Sequence, residues 1–315
     1  FDVFRQLIRE VNFTDAEQLA ALETITFDDL KAYPSRAFRK IYMRGFVYGN
    51  LTLQQVETAA TNLQKALNPE SVLPESERFA GRILRLGEGT SAILRRPIDS
   101  NDSAAVLLYQ GNPLSLESKA ALTLLNQILP NRFFQDLRTL QQTGYIVDAR
   151  GFDIEDIPVF YFASQSSVID TASLRGRFES FIKHLDKELS KISAEDFEKN
   201  RAAALNQVLS KRKTFAEELT WNFDCAFRLH GDFEFESRLE RALKKMDQKK
   251  WLSLCSSFFA ERNTRRVSIE MIGSTNRHRY QESSLESLRE KGDGYWKRPV
   301  TPPQPEGEKQ GGSDR

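Results

Sequence analysis

Two side chains that could stabilise negative charge, Arg138 and Tyr145, lie seven positions apart in the segment 134–147, FQDLRTLQQTGYIV. A charged, amphipathic helix is predicted up to Thr143, and an apolar strand is predicted to begin at Tyr145. We expect Gly144 to end the helix with a positive φ, a conformation that costs glycine little. Arg138 would then lie in the last turns of the helix, and both side chains could donate hydrogen bonds to one external acceptor.

These two groups suit the stabilisation of charge that develops on a substrate. A neutral phenol and a permanent guanidinium can both do so without gaining or losing a proton. The structural alternative is an exposed helix arginine and a tyrosine packed in the core, and spacing alone favours this commoner arrangement. The two residues by themselves leave both interpretations open.

The histidines and cysteines do not form a recognisable metal site. No two of His184, His230 and His278 have the four-residue spacing that binds zinc on one helical face. Cys225 and Cys255 lie thirty residues apart on two predicted helices, which favours two reduced, partly buried thiols over a disulfide. The sequence therefore predicts no catalytic metal site in this chain.

Other charged and glycine-rich motifs have simple structural interpretations. The segment 87–89 (GEG) lacks the Lys-Ser/Thr pair or the third glycine of a phosphate-binding loop. The acidic cluster Asp153, Glu155 and Asp156 is interpreted as a solvated turn between two strands. A basic run is interpreted as a solvated edge rather than a binding patch, and it consists of Arg262, Arg265, Arg266, Arg277 and Arg279.

Composition limits the class of protein. A chain of 315 residues, 40% hydrophobic and 28% charged, can form one large or two ordinary soluble domains. The net charge of +1 leaves no global basic field to hold nucleic acid, which argues against nucleic-acid binding. No apolar run approaches the ~20 residues of a bilayer-spanning helix. Because the chain begins with Phe1 inside a predicted helix, we expect a fragment whose targeting signal would lie upstream, so a periplasmic and a cytoplasmic location both stay open.

Residue patterns predict a mixture of helices and strands. Capping patterns at Thr14, Thr26 and Thr52 start three helices. Strands are predicted over 41–48, 104–110, 145–151, 159–165 and 266–272, with a hairpin over 82–97. Further helices are predicted over 115–129, 131–142, 173–192, 194–210, 215–230, 235–244 and 249–261. The segments 22–52 and 243–275 share one order of helix, turn, helix, basic stretch and apolar strand, which suggests a duplicated α+β unit, although coincidence stays open.

The motif LRTxxQxGYIV around Arg138 resembles one in the C-terminal half of the insulysin and pitrilysin family, the inverted zincins of the M16 type. The order of the elements around it is similar too, from AVLLYQ at 105–110 to SAEDFEKN at 193–200. The resemblance covers residues 20 to 275. It implies an α+β fold in which helices cover an antiparallel-rich sheet, with one truncated and one complete domain copy. The implied domains are the end of the third M16 domain (1–75), the fourth domain (79–275) and a charged, Pro-rich disordered tail (276–315).

The resemblance also implies a function. The family's zinc, held by HxxEH in the N-terminal half, is absent from this chain, so the segment alone should be inactive. Arg138 and Tyr145 would reach across a closed chamber, contact the peptide substrate and help to hold the oxyanion at that zinc. Gln142 matches the motif and is expected to support the turn, whereas Thr143 replaces a common leucine and is expected to affect packing. The partner would be the N-terminal half, fused or separate.

Two alternatives belong to other functional classes. Metal-free relatives of this fold serve as scaffold or partner subunits of processing-peptidase-like complexes. An unrelated α+β binding protein is the third hypothesis. An HxxEH motif in the upstream coding sequence would favour the enzyme, and a start codon near Phe1 would favour a separate subunit.

Overall fold

Capping residues determine where several helices begin. Thr14, Thr26, Thr52, Ser115 and Thr214 each accept a hydrogen bond from the backbone N–H three residues later, and the side chain of that later residue bonds back to the cap. These reciprocal bonds satisfy N–H groups that the first helical turn would otherwise leave unpaired. The three helix starts predicted at Thr14, Thr26 and Thr52 are confirmed.

The computed structural model describes residues 2–78, 81–87, 92–260, 263, 265–275, 289–290, 292 and 294–297. Its elements follow the chain in the order α1 (Asp2–Ile8), α2 (Asp15–Thr24), α3 (Phe27–Ala37), β1 (Lys40–Ile41), α4 (Leu53–Leu67), β2 (Ser71–Val72), β3 (Arg82–Leu84), β4 (Ala92–Pro97), β5 (Ser103–Gln110), α5 (Leu116–Phe134), β6 (Ile146–Ile154), β7 (Ile157–Ser166), α6 (Thr171–Lys183), α7 (Leu185–Ser190), α8 (Ala194–Val208), α9 (Phe215–Phe227), α10 (Phe235–Lys245), α11 (Gln248–Phe259), β8 (Arg266–Ile272) and β9 (Tyr295–Lys297). None of the described helices is long and apolar enough to span a bilayer.

The main sheet has five strands in the order β4-β8-β5-β7-β6. The β4–β8 pair is parallel, and the other three pairs are antiparallel. Buried residues from α5, α6, α8, α10 and α11 cover one face, with Trp251 fully buried among them. On the other face a second apolar cluster packs α1 and β3 against the sheet. Helices thus cover an antiparallel-rich sheet, as predicted.

The chain divides into two compact units. One contains 2–12, 81–211 and 234–297, and the other contains 13–80 and 212–233. In the second unit, residues 13–78 include no buried side chain. The predicted division at 75–79 differs from these units, because α1 belongs to the first and α9 to the second. A division by compactness does not test a division into homologous domains. The predicted domain boundaries therefore stay a prediction.

Strand pairing differs from the sequence prediction in three places. The strand predicted over 41–48 is limited to Lys40–Ile41, because only the two residues of β2 pair with it. The predicted hairpin over 82–97 does not form, since β3 pairs with β9 and β4 with β8; its tip at 88–91 lies outside the described residues. The strand β9 itself lies in the predicted disordered tail, most of which is also outside the described residues.

Helix boundaries differ in two places. Pro130 does not separate two helices, because α5 continues through it to Phe134 while its buried face packs on the sheet. Tertiary burial of an apolar face here outweighs the local cost of proline. The single helix predicted over 173–192 is divided at His184 into α6 and α7.

Candidate functional site

The end of α5 has an unusual backbone that positions Arg138. From Gln135 to Leu140 the chain forms a π-helical turn, which the Gln141 N–H closes by donating to the Asp136 carbonyl at 2.9 Å. Leu137 is fully buried and anchors this turn in the core. Single π turns often occur at functional sites. The turn places Arg138 next to the loop that leads into β6.

The loop after the π turn is held by buried hydrogen bonds. Thr143 is buried, and both its N–H and its Oγ1 donate to the Leu137 carbonyl, at 2.9 and 3.0 Å. Arg177 Nη1 donates to the Gln141 carbonyl at 3.2 Å. The sequence prediction did not include Arg177, because only the fold brings α6 beside this loop.

The positive φ predicted for Gly144 is wrong, although the position does require glycine. The left-handed conformation belongs to Gln142, with φ = 49°, whereas Gly144 does not have a positive φ. Gly144 is required for a different reason, since a Cβ there would lie 1.8 Å from the carbonyl oxygen of Gln165 on β7. Gln142 thus supports the turn through its backbone.

Arg138 and Tyr145 lie against each other at the entrance of β6. Arg138 Nη1 donates to the carbonyls of Gly144 and Tyr145 at 2.6 and 2.5 Å. The Arg138 guanidinium carbon also lies 4.8 Å from the centroid of the Tyr145 ring, which is a cation–π contact. Arg138 therefore fixes the backbone and the ring of Tyr145 together. Tyr145 immediately precedes β6 rather than beginning it.

The pair faces solvent. Tyr145 is 84% exposed, and Arg138 is half-buried. Within the described residues, no hydrogen bond involves the Tyr145 hydroxyl or the Nε and Nη2 of Arg138. The packed-tyrosine alternative is therefore wrong, and both residues keep donors for an external acceptor. The exposed ring of Phe134 lies 6.0 Å from the Arg138 guanidinium carbon, and Leu140 and Ile146, close by in the sequence, are exposed apolar side chains as well.

A second tyrosine, Tyr161 on β7, is engaged inside the protein. Its hydroxyl donates a hydrogen bond to Asp148 on β6. Burial, followed by the bond to Asp148 and its charge, raises the pKa of Tyr161. Unlike Tyr145, this phenol is committed to a carboxylate of its own chain.

The acidic cluster forms a turn, as the sequence interpretation holds. Glu155 and Asp156 both have positive φ, 49° and 65°, as in a two-residue hairpin turn between β6 and β7. Asp153 forms an ion pair with Lys119, and Glu155 lies 3.9 Å from Arg9. The carboxylates of Asp153 and Glu155 thus take part in ion pairs within the protein.

The histidines and cysteines occupy separate structural positions. His184 lies between α6 and α7, with its Nδ1 2.8 Å from the Ser180 carbonyl, and His278 lies outside the described residues. Cys225 and Cys255 are not joined in a disulfide, both are buried rather than partly buried, and burial raises the pKa of Cys255. No group of three or more His, Cys, Asp or Glu in the described part of the chain could hold a metal ion.

The architecture matches that of M16 metallopeptidases. The crystal structure of pitrilysin aligns with a TM-score of 0.78 at 21% identity, over 94% of this chain and 32% of that chain. A peptidase M16 inactive domain from Pseudomonas fluorescens aligns with a TM-score of 0.54 at 15% identity, over 81% and 58% of the two chains. The predicted M16-like α+β fold is confirmed.

Sequence relatives make the class more specific. A nardilysin-like protein of Arabidopsis thaliana is 24% identical over 277 residues, which cover 85% of this chain and 27% of the relative. Protease 3 of Escherichia coli K12 is 26% identical over 230 residues, 72% of this chain and 23% of the relative. Residues 124–223 match a family model described as PQQ synthase PqqF-like, C-terminal lobe domain 4. The chain spans about a quarter of the length of these curated relatives.

These similarities confirm the resemblance predicted from the sequence. The homologues of this chain are insulysin-, nardilysin- and pitrilysin-like M16 proteases, which are zinc metallopeptidases, and the matched model is that of a C-terminal lobe. Sequence and fold thus both relate this chain to the M16 peptidases.

Proposed function

We propose that this chain is the substrate-enclosing, non-metal half of a zinc metalloendopeptidase. The observation that carries the proposal is the exposed Arg138–Tyr145 pair at the start of β6. The guanidinium is half-buried and stacked, so its position is set before a peptide arrives. Preorganised donors of this kind stabilise charge in a transition state better than mobile ones.

The two residues have different tasks. Arg138 Nη1 is engaged with the carbonyls of Gly144 and Tyr145, so Arg138 chiefly positions the tyrosine and adds a positive charge. The Tyr145 hydroxyl is the donor that can reach a peptide carbonyl in the partner half. The exposed apolar ring of Phe134 beside Arg138 favours contact with a peptide rather than with a small polar substrate.

The described residues of this chain do not fit a zinc site. No two histidines have the spacing that pairs them on one helical face, and no group of three or more His, Cys, Asp or Glu among the described residues could hold a metal ion. The proposal therefore assigns zinc, the attacking water and the general base to an N-terminal half, in the same polypeptide or in a separate subunit.

The second compact unit supports the proposal of a truncated domain. The helices α2, α3 and α4 have no buried residue, and apolar side chains such as Leu22, Phe27 and Leu53 are exposed on them. Helices in a complete α+β domain bury such side chains on a sheet. We propose that the part of this unit before residue 76 belongs to the end of the third M16 domain, which residues 1–75 would form.

Reconstitution tests the proposal. The 315-residue chain alone should not cleave a fluorogenic peptide, and adding a separately produced N-terminal M16 half that contains HxxEH should restore cleavage. An N-terminal half in which the glutamate of that motif is replaced by glutamine is the control. Cleavage by the chain alone, or no gain on adding a half that demonstrably associates with it, would contradict the proposed role.

A non-catalytic partner subunit is the second candidate function. The structural likeness to a peptidase M16 inactive domain favours it. The upstream coding sequence separates the two candidates, since HxxEH on the same polypeptide supports the enzyme and an independent start codon near Phe1 supports a separate subunit.

A further inference from the structure

Helix α6 contributes an arginine to the loop that leads to Tyr145. Arg177 Nη1 donates to the backbone carbonyl of Gln141 at 3.2 Å and lies 3.4 Å from the side-chain Oε1 of the same residue. Arg177 and Gln141 are 36 positions apart in the sequence. The contact is therefore a tertiary one, which fastens the loop 141–145 to a helix outside the segment that carries the candidate site.

The loop needs such fastening because its backbone is strained. Gln142 has φ = 49°, a left-handed conformation that is unfavourable for a residue with a side chain. Before it, Gln141 donates its N–H to the Asp136 carbonyl at 2.9 Å and its Nε2 to the Asp136 Oδ1 at 3.2 Å. After it, Thr143 donates to the Leu137 carbonyl. Contacts on both sides thus hold Gln142 in place, and Arg177 adds one of them.

Arg177 extends from a helix that is fixed in the core. Its neighbours Leu174 and Phe178 on α6 are fully buried. The Phe178 ring packs edge-on against Phe133 near the end of α5, with 5.6 Å between the ring centroids. The π turn with Arg138 continues directly from that end of α5. The base of the Arg177 side chain is therefore held at a set place relative to the candidate site.

The charge of Arg177 is directed at the backbone of the loop. Arg177 is half-buried and forms no ion pair with a carboxylate in the described part of the chain. A charged donor makes a stronger hydrogen bond to a carbonyl than a neutral donor does. Arg138 contacts the carbonyls of Gly144 and Tyr145 in the same way. Two arginines from different elements thus hold the two ends of the loop 141–145.

We propose that Arg177 is a positioning residue, which sets the direction of the Tyr145 hydroxyl through the loop 141–145. This inference rests on the proposed function of the Arg138–Tyr145 pair. An exposed tyrosine can approach an acceptor from many directions, and a displacement of about 1 Å can cost about a hundredfold in rate. Arg177 acts through Gln141 and is assigned no contact with the peptide.

Amide hydrogen exchange in the 315-residue chain tests the contact without any peptidase reaction. Arg177→Met removes the donors, and the Gln141 and Thr143 amides should then exchange at least about tenfold faster. Lys183→Met removes an exposed cation from the end of α6 and should leave both amides as they are. Amides of β5 report the stability of the first compact unit. Unchanged exchange in the loop, or equal acceleration in β5, would overturn the proposal.

The kinetics of the reconstituted enzyme test whether Arg177 acts through Tyr145. Arg177→Met should lower kcat about tenfold and change KM by less than about twofold. Arg177→Lys keeps a charged donor and should recover most of kcat. In a chain that carries Tyr145→Phe, Arg177→Met should have little further effect, because the hydroxyl that it positions is absent. A full tenfold loss in that background would overturn the proposal.

The two measurements separate this role from the proposed function. If Tyr145→Phe leaves kcat unchanged, the proposed function is wrong, and the exchange rates still decide whether Arg177 holds the loop. If Tyr145→Phe lowers kcat while Arg177→Met changes neither kcat nor the exchange rates, the function stands and the positioning role is wrong.

Discussion

Replacing Gly144 with alanine should destabilise the first compact unit by about 3 kcal/mol or more. The new Cβ would lie 1.8 Å from the Gln165 carbonyl oxygen and 2.9 Å from the Gln165 carbonyl carbon, and both are backbone atoms of β7. Neither atom can rotate away as a side chain could. The loop must therefore move away from the sheet, and with it the carbonyls that hold Arg138.

Urea unfolding of the Gly144→Ala variant, followed by circular dichroism, measures this effect. Gly176→Ala is the matched control, because Gly176 lies in α6 and an added Cβ would meet nothing within 4 Å. Alanine is the better helix former, so the control should be more stable by about 1 kcal/mol. Similar midpoints for both variants would show that Gly144 does not approach β7 closely.

Removing the carboxylate of Glu270 should cost about 3 kcal/mol. Glu270 is completely buried on β8, where it accepts bonds from the Nε of Arg95 and of Arg175, each at 3.0 Å. Glu270→Ala would leave two guanidinium groups without this shared anion. The arginine side chains are 27% and 22% exposed, so water partly compensates and the loss should lie at the low end for buried ion pairs.

The control for Glu270→Ala is an exposed glutamate. Glu188 pairs with Lys191 at 2.6 Å on the surface, and Glu188→Ala should leave the urea unfolding midpoint close to that of the unchanged chain. Equal losses for the two variants in urea unfolding would mean that the Glu270 network contributes no more than a surface pair.

Local features of the fold could be predicted from the sequence. The capping threonines before α2, α3 and α4 and the apolar runs of β5 and β7 act over a few residues, so the local sequence pattern contains the information. The pairing of strands that are distant in the sequence cannot be predicted from such local patterns. The pairing of β3 with β9 joins residues that are more than two hundred positions apart, and nothing near Arg82 indicates it.

The sequence could name the two residues of the candidate site, but it could not predict how they are arranged. The motif identified Arg138 and Tyr145, and the structure brings them into contact. The π turn, the left-handed Gln142 and the approach of Gly144 to β7 depend on packing against the core, which a local pattern does not contain. The interpretation of the basic run as a solvated edge is wrong for Arg265, which is only 8% exposed, and this burial also depends on long-range packing.

The turnover number of the reconstituted enzyme with Tyr145→Phe tests the central claim most directly. The substitution removes one hydroxyl from a side chain that is 84% exposed, so folding should be unaffected. We expect kcat to fall about 10²–10³-fold with an unchanged unfolding midpoint, as for the loss of one oxyanion donor. Tyr33→Phe, on the exposed surface of α3, should leave kcat as it is. An unchanged kcat for Tyr145→Phe in an active reconstituted enzyme would contradict the assigned role.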